Sequence, residues 1–232
     1  MEGRNLDLTS RNEDTRNKFQ TEVVRFELDQ IMQHFSETMR EINAQFDIAD
    51  ELVASGKVTE GENIWRAQIV FLASALDFYM HELTKYGLCE IYDENWARTE
   101  KYDNLQVNMK VIEVALKSGE EVDWFLEYIN GYYRKITMVS YDSVRDQLKL
   151  LGIDPVSVAD EAFYQRGSTE KPKDKMKRRL NELFGRRNII AHQTDREHGD
   201  AQVKNITKEI VQSFINDIEK IVKAIDVKAK NK

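Results

Sequence analysis

The chain has 232 residues, of which 41% are hydrophobic and 32% charged, with a net charge of −7, two prolines and one cysteine. That composition suits one sizeable domain, and the scarcity of proline and glycine excludes a turn-rich β fold. The acidic balance excludes a protein that coats nucleic acid over its whole surface, and the lone Cys89 excludes both an internal disulfide and a thiolate metal cluster, leaving it as core filler.

Residues 1–14 read as a polar tail, and residues 15–54 as a long helix. Val24, Leu28, Ile31, Phe35, Met39, Ile42 and Phe46 recur at spacings of three and four along it. The glycine-bearing break at 55–63 precedes a second helix, over 63–86, whose stripe is Trp65, Ile69, Leu72, Leu76, Tyr79, Leu83 and Tyr86. Apolar residues on its flanks (Val70, Phe71, Ala75, Phe78) predict that other helices cover it on several sides. Shorter helical patterns at 105–117, 120–135, 141–151 and 156–164 read as an insertion, spanning 104–166, into a simpler bundle. The stretch 166–174 reads as an exposed connector, followed by a basic helix. A last amphipathic helix carries Ile206, Ile210, Phe214, Ile218, Ile221 and Ile225, and 226–232 reads as a polar tail. Each apolar stripe needs burial against another, so the expectation is one all-α domain: a four-helix up-down bundle with additional inserted helices.

No stretch approaches the roughly 18 apolar residues that mark a membrane span, and residues 1–17 are too polar for a secretory signal. The expectation is a soluble, cytoplasmic protein without a membrane partner. No Gly-rich phosphate loop occurs. His81-Glu82 opens like a zinc-binding helix motif, but Lys85 stands where the second ligand belongs, and His34, His192 and His198 offer no other ligand spacing. No metal and no cofactor is expected.

Charge is concentrated rather than spread. Between Lys171 and Arg187 eight basic residues stand with two acidic ones, so this segment carries +6 and the remainder −13. Such a patch on an acidic body either steers a polyanion to one place or is an ordinary solvated helix face. At its end the sequence LNELFGRRNIIAH (180–192) continues the apolar stripe of Met176, Leu180, Leu183 and Phe184 onto Arg187. A guanidinium on that seam needs a carboxylate or an open cleft. At roughly 100° per residue, Asn188 and His192 share a face and Arg187 lies about 140° from His192. On spacing alone, Arg186, Arg187 and His192 are equally readable as complements to the negative end of the helix dipole. On the second helix Ser74, Asp77 and His81 make a polar stripe, readable as a solvent face or as support for a site. Trp124, Tyr128, Tyr132 and Tyr133 read as core or as base-stacking platforms.

Arg187-Asn188-Ile189-Ile190-Ala191-His192, at the end of a basic helix and followed by a polar loop and a terminal helix, resembles the Arg-Asn-x-x-x-His signature of the HEPN superfamily, in particular its RiboL-PSP-type branch. The resemblance implies a metal-independent endoribonuclease acting as a homodimer on RNA. His192 would be the acid/base, Arg187 the phosphate holder, Asn188 a positioning group and Asp77 the acidic support on the second helix. Arg186, Arg179, Arg178, Lys177 and Lys175 would guide RNA. It further implies a toxin or phage-defence effector restrained by an antitoxin or other regulatory protein. Histidine suits both proton transfers near neutrality, and one motif supplies one histidine, so two copies facing each other would complete the site. The alternative is a non-catalytic HEPN-like module that binds RNA or protein.

Overall fold

The computed structural model describes residues 23–118, 123–196, 199 and 201–232. Nine α-helices lie among them: α1 (Leu28–Ala54), α2 (Val58–Tyr92), α3 (Glu100–Asp103), α4 (Met109–Ser118), α5 (Trp124–Tyr133), α6 (Tyr141–Leu150), α7 (Pro155–Phe163), α8 (Pro172–Gln193) and α9 (Lys208–Lys230). The sole extended pairing among the described residues is one isolated bridge, Arg196 to Val203.

The bundle directions follow from the ties between helices. Gly61 lies against Val53 and the Ala49 carbonyl, the buried Gln68 amide donates to the Ile42 carbonyl, and Arg25 pairs with Glu90 and Asp93. α1 and α2 are therefore antiparallel. Lys208 pairs with Asp50 and Lys230 with Asp29, which sets α9 antiparallel to α1. Arg179 reaches Asp217 while Arg186 reaches the Asn205 carbonyl, which sets α8 antiparallel to α9. The four long helices make the expected up-down bundle.

Local sequence explains most boundaries. α1 starts at Leu28, where Glu27 and Gln30 form a reciprocal capping box; residues 23–27 are non-helical and strapped to the end of α2 by Arg25, and residues 15–22 of the expected helix lie outside the described residues. The tail expected over 1–14 lies outside the described residues. α2 outruns its expected end because Gly87 lets Trp96 and Leu151 pack onto it, carrying the helix to Tyr92. Pro172 takes the first position of α8, so the connector ends at Lys171. α9 runs through the expected tail to Lys230, because Ala229 is buried and Lys230 pairs with Asp226 and Asp29.

α2 is the central element, touching α1, α5, α6, α8 and α9. Its fully buried Ile69, Leu72, Leu76, Tyr79 and Leu83 meet Ile31, Phe35 and Ile42 of α1 and Ile218, Ile221 and Ile225 of α9 in one cluster. The inserted helices join the same core through Val139, Val144, Leu148 and Val158, and α7 packs on both α8 and α9. Cys89 is buried there too, and burial pushes its thiol up to about 12.

Candidate active site on α8

α8 divides into two halves. Met176, Leu180 and Leu183 are fully buried, but every residue from Phe184 to Ile190 is only partly covered, and Ala191 and His192 are exposed. The apolar seam is thus only partly covered from Phe184 on, with Phe184 and Ile190 still packed against the core. Arg187 is not on a buried seam but half-exposed, which spares its guanidinium the full desolvation cost. Its guanidinium lies 5.7 Å from the centroid of the Phe184 ring, a cation–π contact one turn back along the helix.

The other arginines of α8 are engaged. Arg178 holds both oxygens of Glu170 at 2.9 and 3.0 Å and also reaches Glu182. Arg179 binds Asp217 at 2.5 Å, Glu182 at 2.8 Å and the Ser213 hydroxyl at 2.9 Å, with its plane over Phe214. Arg186 turns inward to Asp195 at 2.8 Å and to the Asn205 carbonyl at 2.9 Å. Lys175 lies over the Phe163 ring, and Lys177 is exposed. Of the residues expected to guide RNA, Arg178, Arg179 and Arg186 bind carboxylates of the same chain, and Arg179 and Arg186 tie α8 to its neighbours. Among the described residues, Arg187 is the arginine of α8 with no carboxylate partner. Adjacent residues on a helix point about 100° apart, so the Arg186-Arg187 doublet sends one guanidinium inward and the other outward.

Asn188 is half-exposed beside Arg187, and His192 stands in the last turn, open to solvent. Asp77 has other partners. Its Oδ1 accepts from the Met138 amide at 2.5 Å, and its Oδ2 is 3.8 Å from His81 Nε2, which donates to the Ile136 carbonyl at 2.8 Å. Both α2 side chains hold the turn between α5 and α6, and neither bonds to Arg187 or His192. They line a cleft of about 310 Å³ with Ser74, Glu82, Lys85, Asn130 and Arg134, which contains no α8 residue. Of the four inserted aromatics, Tyr133 is buried, Trp124 and Tyr128 are partly buried, and Tyr132 is exposed. His198 lies outside the described residues.

Asp195 and Arg66 were not singled out by sequence. Asp195, three residues after His192, is fully buried, with one oxygen shared by Arg66 Nε at 2.9 Å and Arg186 Nη2 at 2.8 Å. Its residue falls in QTDREHGDAQ, which reads as an ordinary polar loop. The available signal was Arg66 itself, a charge between Trp65 and Ile69 on a helix covered on several sides.

An antiparallel helical bundle that presents Arg187-Asn188 and His192 at the uncovered end of one helix is a HEPN-type architecture. The RiboL-PSP-HEPN family model matches residues 33–231, and the chain belongs to that family. The match takes in α1 and the inserted helices as well as the helices around the motif. No curated protein and no solved structure matches the chain significantly.

Proposed function

We propose that the protein is a metal-independent endoribonuclease whose site is completed by a second copy of the chain. The observation that carries this reading is the contrast along α8: Arg178, Arg179 and Arg186 are held by carboxylates, whereas Arg187 has no carboxylate partner among the described residues, and His192 is exposed beyond it. A chain of net charge −7 has carboxylates to spare, so an uncompensated guanidinium is a place for an anion. In the reaction one histidine removes the proton from a ribose 2′-hydroxyl. The 2′-oxygen attacks phosphorus, and the 5′-oxygen leaves with a proton from a second histidine. The products are a 2′,3′-cyclic phosphate and a 5′-hydroxyl. Arg187 stabilises the charge on the phosphorane, and Asn188 orients the phosphate.

One chain supplies one such histidine on α8, and a two-fold partner supplies the other. The partly covered run Phe184–Ile190 supports a contacting face of this kind. RNA approach relies on Arg187, Lys177 and the exposed Lys171 and Lys173 rather than on Arg179 or Arg186. Asp77 serves the site through the α5–α6 turn, whose Met138 amide it holds. Membership of the family supports the ribonuclease reading, and the proposal extends to a toxin or phage-defence setting with a regulatory protein partner.

The test is incubation of purified protein with total RNA in excess chelator. Cleavage leaving cyclic-phosphate ends, reduced about 100-fold or more in His192→Ala and in Arg187→Ala, is the expected result. A wild-type protein that binds RNA yet leaves a wide range of RNAs intact would instead make it a non-catalytic binding module.

A further inference from the structure

We infer that Asp195, held between Arg66 and Arg186, is a positioning residue that fixes the terminal turn of α8 carrying His192. This inference rests on the ribonuclease reading for its catalytic consequence, but the clamp has its own geometry.

The chain leaves α8 through two consecutive left-handed residues, Thr194 at φ 50° and Asp195 at φ 60°. Neither is glycine, and single left-handed residues of this kind persist only where their surroundings hold them. The backbone turns the Thr194 and Asp195 amides both back to the Ile189 carbonyl. The decisive hold is the Asp195 side chain. It is drawn fully inside, where Arg66 of α2 and Arg186 of α8 meet the same oxygen. The two guanidiniums then continue to the far side of the loop, Arg66 to the Lys204 carbonyl at 3.2 Å and Arg186 to the Asn205 carbonyl at 2.9 Å. The Lys204 amide closes the ring on the Asp195 carbonyl at 2.8 Å. Glu62, one turn before Arg66, steadies that guanidinium at 3.2 Å.

This network is a poor device for stability alone. Asp195 Oδ1 is buried with no hydrogen-bond partner among the described residues, and an apolar contact of the same size would hold the loop at less desolvation cost. What an ionic clamp adds is direction, because a carboxylate shared by two planar forks allows one orientation of the backbone that bears it. That backbone begins three residues after His192. Arg186 is also the neighbour of Arg187, so the clamp grips the motif at both ends, immediately before its arginine and just after its histidine. A displacement of about 1 Å in a proton-transfer group costs on the order of 100-fold in rate.

The experiment compares wild type with Asp195→Asn, which keeps size and loses charge. Two readouts are taken: amide hydrogen exchange across the chain, and kcat and KM for RNA cleavage in chelator. Faster exchange confined to residues 189–206, with kcat down about 10- to 100-fold and KM unchanged, is the expected result. If Asp195→Asn does not fold, Arg66→Lys takes its place. Lysine keeps the charge on α2 but lacks the fork that joins Asp195 to the Lys204 carbonyl. Unchanged exchange and unchanged kcat in a folded variant would overturn the clamp, as would a rise in KM with kcat intact. Should the wild type cleave no RNA, the ribonuclease reading fails while the exchange pattern still decides whether Asp195 holds the turn.

Discussion

Gly61→Ala and Gly185→Ala make the same chemical change inside two helices and should move stability in opposite directions. An alanine gains up to about 1 kcal/mol over glycine in a helix interior. At Gly185, on the partly covered half of α8, an added Cβ meets nothing within 4 Å, so that gain stands and corresponds to a melting temperature higher by about 2–4 °C for a chain of this length. At Gly61 the Cβ would lie 2.6 Å from Val53 Cγ2 and 2.9 Å from the Ala49 carbonyl oxygen. Val53 can turn aside, but a backbone oxygen within α1 cannot, so the two helices must part along their contact. Overpacking of this kind costs about 1–3 kcal/mol, which outweighs the helical gain and leaves a net loss of up to about 2 kcal/mol. Thermal unfolding followed by circular dichroism is the assay, at a protein concentration low enough that association does not contribute. A Gly61→Ala protein that melts as high as Gly185→Ala would refute the close α1–α2 approach.

Arg179→Met keeps a stem over Phe214 but loses the bonds to Asp217, Glu182 and Ser213. It should cost about 1–3 kcal/mol in urea unfolding while leaving RNA affinity nearly unchanged, the reverse of Lys177→Ala. Alkaline pH should weaken the fold. The Cys89 thiol is raised from 9.0 to about 12 by burial, and burial also raises the Tyr79 and Tyr133 hydroxyls from 10.0. Between the ordinary and raised values the unfolded chain has released protons that the folded chain retains, so stability is full below about pH 9 and falls as pH rises. Denaturant midpoints at pH 8 and pH 10.5 check the sign. Cys89 in the folded protein should accordingly resist alkylation at pH 8 and react at once in denaturant.

Periodicity made the architecture legible because each long helix buries one stripe, as Ile31, Phe35, Met39, Ile42 and Phe46 do on α1. It misjudged helix ends, where a capping box at Glu27 or an ion pair at Lys230 decides and the stripe has nothing to say. In the candidate site Arg187, Asn188 and His192 were legible as a motif. The division of labour among the basic residues was not, since whether an arginine is spent on a carboxylate depends on which helices meet. Asp217, which binds Arg179, is 38 residues away in sequence, and Arg66 is 129 from Asp195. Asp77 shows the same limit: its place on a polar stripe was visible, but its partner, the Met138 amide, comes from a turn 61 residues on.

The grip of Arg186 on Asp195 also turns this stretch of α8 into a caliper. With both jaws fixed inside the protein, the intervening residues have one permitted count. An extra residue between them would rotate His192 by about 100° relative to Arg187 or force the surplus out as a bulge. For this chain the five-residue step from arginine to histidine is thus a dimension set by the bundle, and a change in its length is a fault of gauge that no side-chain substitution nearby would repair.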